Sequence, residues 1–377
     1  MDHILNILLS TGLAFLITFF AIPVIIEVAK NKKLFDEPDE RKVHKAVIPT
    51  LGGLGIFAGF ILATLMGVPA NISNQPLQYF MAAALVIFFL GIKDDILVLS
   101  ATKKFVGQLV AAGILIRFGG IQINDMHGLF GIHEIPHVAS VILTLFTVIV
   151  ITNSFNLIDG VDGLAGSLGL LTAIVFGIYF LLIGQTMFAV MALALAGSLS
   201  AFLIFNFSPA KIFMGDTGSL LIGLLNSIFV IKFISVAGSS IYPVESAPAI
   251  GFAILIVPLF DTLRVFSLRI FNRRSPFSPD RNHIHHFLLD LGLSHRMISV
   301  VCVSANIVFI VLAYSLRSIG TNMVIAALAT AAIIFVGIVY YSRPRPKSLN
   351  GVMRNDEEKI LKSHKIFTLA GETVEQE

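Results

Sequence analysis

The 377-residue sequence has no tryptophan, one cysteine and few charges, with only 13% of its residues Asp, Glu, Lys or Arg, where a soluble domain carries about 25%. Each scarcity excludes something. With Cys302 alone there can be no intramolecular disulfide, and a multi-cysteine metal site is disfavoured. Without Trp, any aromatic belt at a membrane interface falls to six Tyr and some of the 32 Phe. A Walker A loop, a GxSxG elbow and a GxGxxG fingerprint are also missing, which disfavours an ATPase, a lipase and a Rossmann enzyme. What fills the chain is hydrocarbon: 56% of residues are hydrophobic and the mean hydropathy is +0.89. So little charge cannot cover a water-facing surface, so the chain is read as an integral membrane protein. The N-terminus lacks a basic n-region and a small-residue cleavage site and is expected to be a first membrane helix.

A span takes about 20 mostly apolar residues. Eleven segments meet or approach this, at 3–27, 50–69, 77–92, 104–118, 137–153, 164–184, 187–205, 217–237, 248–270, 297–316 and 320–341. The expected fold is all-α and polytopic, with about 11 transmembrane helices and no internal repeat of fixed period. A membrane domain over 1–342 would be followed by a cytoplasmic tail over 343–377. Lys and Arg set the orientation. Lys30, Lys32, Lys33, Arg41, Lys42, Lys45, Lys93, Lys103, Lys104, Lys211, Arg269, Arg273, Arg274 and Arg281 fall in the odd-numbered loops, whereas the even-numbered loops carry almost none. The N-terminus is thus expected outside and the C-terminus in the cytoplasm.

The polar residues follow the same asymmetry. ERKVHKAVIPTLGG (40–53), GIKDD (91–95), NSFNLIDGVDG (153–163), FNFSPAKIFMGDTGS (205–219) and SPFSPDRNHIHH (275–286) all lie on the expected cytoplasmic side. Adjacent carboxylates Asp94 and Asp95 at a span end need a cation to offset repulsion and desolvation. Asn153, Asn156, Asp159 and Asp162 recur every three residues, a spacing that drifts slowly along one helix face, and their oxygens suit a hard divalent cation. Inter-helix hydrogen bonding, or Asp162 as a helix N-cap, is the structural alternative. Asp216, in GDTG before a span, joins a carboxylate to a helix N-terminus that favours anions. HIHH at 283–286 lacks zinc-site spacing, and its Arg and Asn neighbours suit anion recognition instead. His44 among Arg41, Lys42 and Lys45 is either part of this surface or a simple positive-inside anchor. Together these stretches suggest handling of a phosphorylated substrate with a metal ion at the cytoplasmic interface. The rival is a transporter of an anionic or phosphorylated solute, but its polar groups would sit near the bilayer midplane.

GIKDD, NSFNLIDGVDGLAG, FNFSPAKIFMGDTGSL and SPFSPDRNHIHH, in this order over about residues 36–290, resemble the polyprenyl-phosphate N-acetylhexosamine-1-phosphate transferases. The resemblance implies ten or eleven helices and transfer of a sugar 1-phosphate from a UDP-sugar to undecaprenyl phosphate, with release of UMP. Mg²⁺ would be the cofactor, with Mn²⁺ as an alternative. The expected setting is the bacterial cytoplasmic (inner) membrane, as a multi-pass enzyme that starts a lipid-linked cell-surface glycan of the O-antigen, common-antigen or teichoic-acid kind. The PDRNHIHH form fits the branch using N-acetylglucosamine 1-phosphate, because Ile284 interrupts the three consecutive His typical of the peptidoglycan-precursor branch.

By position, the resemblance makes Asp216 and Asn156 the metal residues. Asp94, Asp95, Asp159, Asp162 and Lys104 become catalytic, with one of the Asp94–Asp95 pair a candidate base. Asn206, Arg281, His283, His285, His286 and His44 become substrate-binding. Lys93 departs from the aliphatic residue common before the Asp pair and is expected to influence Asp94. A homodimer is compatible with this family; a nucleic-acid partner is not expected.

Overall fold

The computed structural model describes residues 2–32, 48–69, 75–273 and 282–344, and every structural statement concerns these. They form thirteen α-helices: α1 (Asp2–Lys32), α2 (Gly52–Gly67), α3 (Gln75–Leu97), α4 (Ala101–Arg117), α5 (His137–Ile158), α6 (Leu164–Leu182), α7 (Thr186–Asn206), α8 (Gly215–Ala237), α9 (Ala247–Ile254), α10 (Ile256–Phe271), α11 (Ile284–Asp290), α12 (His295–Ser315) and α13 (Thr321–Ser342). The protein is thus an all-α polytopic membrane protein. Each of the eleven expected segments falls on a helix, except 248–270, which is the pair α9 and α10, bent by 86°. Among the described residues seven helices are long and apolar enough to cross a membrane, or eight if the bent pair is one span. The expected tail from 345 onward lies outside the described residues.

Burial sorts the helices. In α8, 78% of the apolar window is buried, and in α7 72%, against 22% in α1 and in α13. α8 is therefore the core helix, packed by α2, α3 and α5, while α1 packs on α7 and α13 lies at the periphery. Small residues allow this. A Cβ on Gly53 would sit 2.3 Å from the Gly218 nitrogen, and one on Gly91 2.4 Å from Thr217 Cα. Apolar side chains gain little by leaving lipid for protein, so helix association here depends on such close packing and on polar contacts.

The break between α9 and α10 frees backbone groups at membrane depth, where each would be costly unpaired. Asn306 of α12, fully buried, satisfies them: its Nδ2 donates to the Ile254 carbonyl at 2.9 Å and its Oδ1 accepts from the Val257 amide at 3.2 Å. Two features were not expected from the sequence. One is the short helix α11. The other is an antiparallel hairpin, β1 (Asp125–Leu129) and β2 (Ile132–Glu134), closed through Phe130 and Gly131 at φ +55° and +75°. It is docked to α13 by the Phe130 amide donating to Asn322 Oδ1 at 2.9 Å.

Candidate active site

The first ends of α4, α8 and α12 and the last ends of α3, α5 and α7 meet at one face. α3 stays helical past the apolar run and so carries Asp94 and Asp95 on its last turn. Asp95 Oδ1 accepts from the Asp216 amide at 2.7 Å, and its Oδ2 from the Thr217 amide at 3.1 Å and the Thr217 hydroxyl at 2.5 Å. Its two oxygens thereby satisfy orphan donors at the start of α8, a capping role supplied from another helix. Asp94 faces the other way. One oxygen accepts from the Leu99 amide at 2.5 Å and the other is ion-paired with Lys104 of α4. Lys104 Nζ also lies 2.6 Å from Asp216 Oδ2. Asn156 of α5 completes the cluster, donating from Nδ2 to Asp216 Oδ1 at 2.9 Å and to Ser219 Oγ at 3.0 Å. Lys93 points out and is exposed; the cation that pairs with Asp94 is Lys104.

Backbone geometry fixes Asp216. Gly215 has φ +71°, and a Cβ there would meet the Thr50 carbonyl at 2.2 Å and both Asp95 carboxylate oxygens at 2.7 Å. The strand-like exchange Phe213 N–H to Pro49 carbonyl (2.7 Å), Gly52 N–H to Phe213 carbonyl (2.9 Å) and Gly53 N–H to Met214 carbonyl (2.8 Å) ties the entry of α2 to the entry of α8. Asp216 is thus held from α2, α3, α4 and α5.

The three-residue polar series divides. α5 ends at Ile158, so Asn156 alone of the last three is helical, and Asp159 and Asp162 lie in the turn that follows rather than on one helical wall. Asn153 pairs reciprocally with Gln108 of α4, at 2.8 and 3.2 Å. Asp162 is buried and does not cap α6, whose N-cap is Gly163 at φ +75°. Its carboxylate accepts from the Ala210 amide at 3.2 Å and lies 3.2 Å from His295 Nδ1, and its carbonyl accepts from Ser299 Oγ at 2.9 Å. Asn206 is also buried, accepting from the Gly163 amide and donating to the Ile212 carbonyl, both at 2.9 Å. Asp162 and Asn206 therefore brace the loops that carry the site.

Asp159 is different. It is half-buried and its carboxylate makes no hydrogen bond or ion pair with any described residue. Desolvation, then the charges of Asp216, Asp95 and Asp162, push its pKa up to about 8. Gly160 beside it touches the HIHH segment: a Cβ there would come within 2.5 Å of His285 Nε2. His285 is buried with Nδ1 unpaired among the described residues. Burial, then His286, lowers its pKa to about 3, so it is a neutral imidazole. His283 Nδ1 is 2.7 Å from Asp261 Oδ2, and His286 stacks obliquely on His285 with ring centroids 4.3 Å apart. Arg281 and His44 lie outside the described residues.

Sequence reasoning passed over Asp261. It is fully buried in α10 and accepts from the Ile284 amide at 3.0 Å, from Arg264 at 2.7 Å and from His283. The signal was present, since a carboxylate inside an apolar run implies a partner. His295, at the start of α12, and Gln108, in the middle of α4, were also missed: each is a single polar residue whose role shows only once its partner is placed.

The donor set can be weighed against a divalent cation. Asp94, Asp159, Asp216 and Asn156 offer only oxygen donors, which suits Mg²⁺ or Mn²⁺ rather than a soft metal. The one ammonium among them, Lys104, holds Asp94 and Asp216 together, and the Asp159 carboxylate has no hydrogen-bond or ion-pair partner among the described residues. Among the described residues no group of three or more His, Cys, Asp or Glu is arranged tightly enough to hold a metal as it stands. A cation would therefore draw on one or two carboxylates plus substrate oxygens, which is how Mg²⁺ is often held. With Lys104 already shared by Asp94 and Asp216, the cluster carries more carboxylates than cations, and an added divalent cation would offset that excess.

Comparison with known proteins gives a concordant result. Residues 77–234 match the model of glycosyl transferase family 4. The chain is 32% identical over 323 residues to a probable undecaprenyl-phosphate N-acetylglucosaminyl 1-phosphate transferase of Bacillus subtilis, covering 84% of this chain and 87% of that protein. It is 34% identical over 308 residues to a decaprenyl-phosphate N-acetylglucosaminephosphotransferase of Mycobacterium leprae, covering 76% and 77%. It is 32% identical over 294 residues to the undecaprenyl-phosphate alpha-N-acetylglucosaminyl 1-phosphate transferase of Escherichia coli K12, with coverage of 76% and 77%.

Proposed function

The chain belongs to glycosyl transferase family 4, and we propose that it transfers N-acetylglucosamine 1-phosphate from UDP-N-acetylglucosamine to a polyprenyl phosphate, releasing UMP. Undecaprenyl phosphate is the acceptor we favour. The observation that carries this reading is the cluster of Asp94, Lys104, Asn156 and Asp216, drawn from four helices onto one face. The Lys and Arg asymmetry makes that face cytoplasmic, where nucleotide sugars are available. The membrane is then the inner membrane, and the product would start a lipid-linked cell-surface glycan.

In the reaction an oxygen of the acceptor phosphate forms a bond to the phosphorus bearing the sugar, and the bond from that phosphorus to the UMP oxygen breaks. Two anions must meet, so charge neutralisation and alignment dominate. Lys104 supplies one fixed positive charge at Asp94 and Asp216. Asp95, through the start of α8, and Asn156 fix where the Asp216 carboxylate lies. A phosphate monoester with second pKa ~6 is mostly dianionic at neutral pH, so proton removal contributes little. Asp159, whose carboxyl pKa is pushed up to about 8, is mostly protonated at neutral pH and becomes a proton acceptor only once a cation or a higher pH ionises it. Asp216 and Asn156 would hold Mg²⁺, which, when bound, would neutralise diphosphate oxygens and charge on the leaving UMP. His283, His285 and His286 flank the Asp159 turn and bound the nucleotide side of the site.

The test is a detergent assay of the full chain with undecaprenyl phosphate, Mg²⁺ and a panel of UDP-sugars, measuring UMP and lipid-linked product. UMP and product from UDP-N-acetylglucosamine, abolished by EDTA, are the expected result. Product from another UDP-sugar alone would correct the donor. The absence of UMP with every donor, from protein with a cooperative melting transition, would overturn the reading.

A further inference from the structure

Lys232 is a cation inside the core helix α8. From Asp216 to Lys232 is sixteen residues, roughly 24 Å at 1.5 Å per residue, so Lys232 lies toward the membrane face opposite the candidate active site. It is half-buried. Its ammonium makes no hydrogen bond or ion pair with any described residue, and its one recorded contact is with the Phe188 ring, 5.2 Å from the centroid. That cation–π contact offsets only part of the cost of placing a Lys inside a membrane helix. Lys232 sits off-centre and so faces a smaller penalty, but among the described residues no anion pairs with the charge.

The ammonium borders a cavity of about 310 Å³. Its floor is apolar, from Phe80, Phe188 and Ile231, and its rim carries Gln122 and Ser235 beside the Gly119–Gly120 turn. Among the described residues no acid lines it. The Asp125 and Glu245 carboxylates of the same face border a different cavity. A single cation, two neutral polar side chains and an apolar floor, opening between α3, α4, α7 and α8, match a small anion joined to a hydrocarbon chain. We propose that this cavity binds the phosphodiester headgroup of an anionic phospholipid from the leaflet opposite the active site, with Lys232 as its counter-ion. The headgroup completes the charge pair that the protein leaves open, and the first acyl carbons lie along Phe80 and Phe188. Lys and Arg pockets between membrane helices are an established way of recognising lipid headgroups.

The inference does not depend on the catalytic reading. The test is native mass spectrometry of the full chain, delipidated and titrated with phosphatidylglycerol or phosphatidylcholine, for wild type, Lys232→Gln and Lys232→Arg. Wild type and Lys232→Arg should retain phosphatidylglycerol in preference to phosphatidylcholine, and Lys232→Gln should bind it at least tenfold more weakly. A thermal melt on the same samples should show phosphatidylglycerol stabilising wild type but not Lys232→Gln. Equal retention by wild type and Lys232→Gln would overturn the proposal and leave Lys232 a side chain that snorkels to the interface. Stabilisation of lipid-free wild type by inorganic phosphate, with no preference between the two lipids, would assign the cavity to a soluble anion and overturn it also. If Lys232→Gln does not fold, loss of the lipid preference in Lys232→Arg would count against the proposal and its retention for it.

Discussion

Asp95 holds Asp216 by its backbone: the Asp95 carboxylate accepts the Asp216 amide at 2.7 Å and both donors of Thr217. Its neighbour Asp94 meets Asp216 side chain to side chain and shares Lys104 with it. Two adjacent carboxylates therefore act on one aspartate by different routes, one orienting the helix that bears it and one sharing its counter-ion.

This division separates their variants. Asp95→Ala removes a cap, which costs about 1 kcal/mol, and lets the start of α8 shift, so both the melting temperature and turnover should fall. Asp94→Asn keeps the Leu99 contact and the side-chain shape while removing one charge from Lys104. Its melting temperature should stay near wild type while UMP release falls at least tenfold. Paired melts and UMP assays check this; equal losses of stability in the two variants would contradict it.

Close packing at Gly91 predicts a different loss. A Cβ there would approach Thr217 Cα to 2.4 Å and its nitrogen to 2.6 Å, both backbone atoms of α8, so no side-chain rotation relieves the clash. Gly91→Ala should destabilise by about 1–3 kcal/mol, the usual cost of overpacking, and displace Asp216 enough to lower turnover tenfold or more. Gly113→Ala, where nothing lies within 4 Å of the added carbon, is the control and should melt like wild type.

Asp261 anchors α11 to α10 through His283, Arg264 and the Ile284 amide. Asp261→Ala strands these partners in a buried site, and removing one member of such a network costs about 3–5 kcal/mol. A large fall in melting temperature is expected. Asp261→Asn, which can still accept from the Ile284 amide, should lose less. Indistinguishable melts for the two would show that the charge, which both variants remove, carries the anchoring and that the Ile284 contact adds little.

These residues also mark what could be read from the sequence. Asp94, Lys104, Asn156 and Asp216 stood out as polar groups at the ends of apolar runs, and the fold brings them together because the helix ends converge on one face. The helices themselves were legible because apolar length alone defines a span. Asp162 and Asn206 stood out equally, and the structure shows both bracing loops around the site. Position marks a residue as unusual, but only the partner, Ala210 for one and Gly163 for the other, tells a strut from a free ligand. Asp261 and Lys232 were passed over because each is a charge set in a largely apolar stretch of helix, and its significance depends on elements far away in the chain. The break at Leu255 was hidden for a similar reason, since the residue that satisfies it, Asn306, lies in α12.

The Asp159 carboxyl gives a pH prediction whose sign is fixed by its environment. Its folded-state pKa is pushed up to about 8, whereas in the unfolded chain it is near 3.9. A raised pKa means the folded protein favours the protonated acid. The associated stability is fully present below pH ~4 and is lost as pH rises through 8. Asp159→Asn imitates the protonated form at every pH. In EDTA-treated protein its melting temperature should match wild type near pH 4 and exceed it at pH 8–9, with the gap opening between. A constant difference across that range would mean that Asp159 is ionised throughout, as it would be if a cation remained bound beside it. Repeating the melts with added Mg²⁺ then provides the second half of the test. A cation that draws on this cluster should stabilise wild type most at high pH, where Asp159 is charged, and should stabilise Asp159→Asn less.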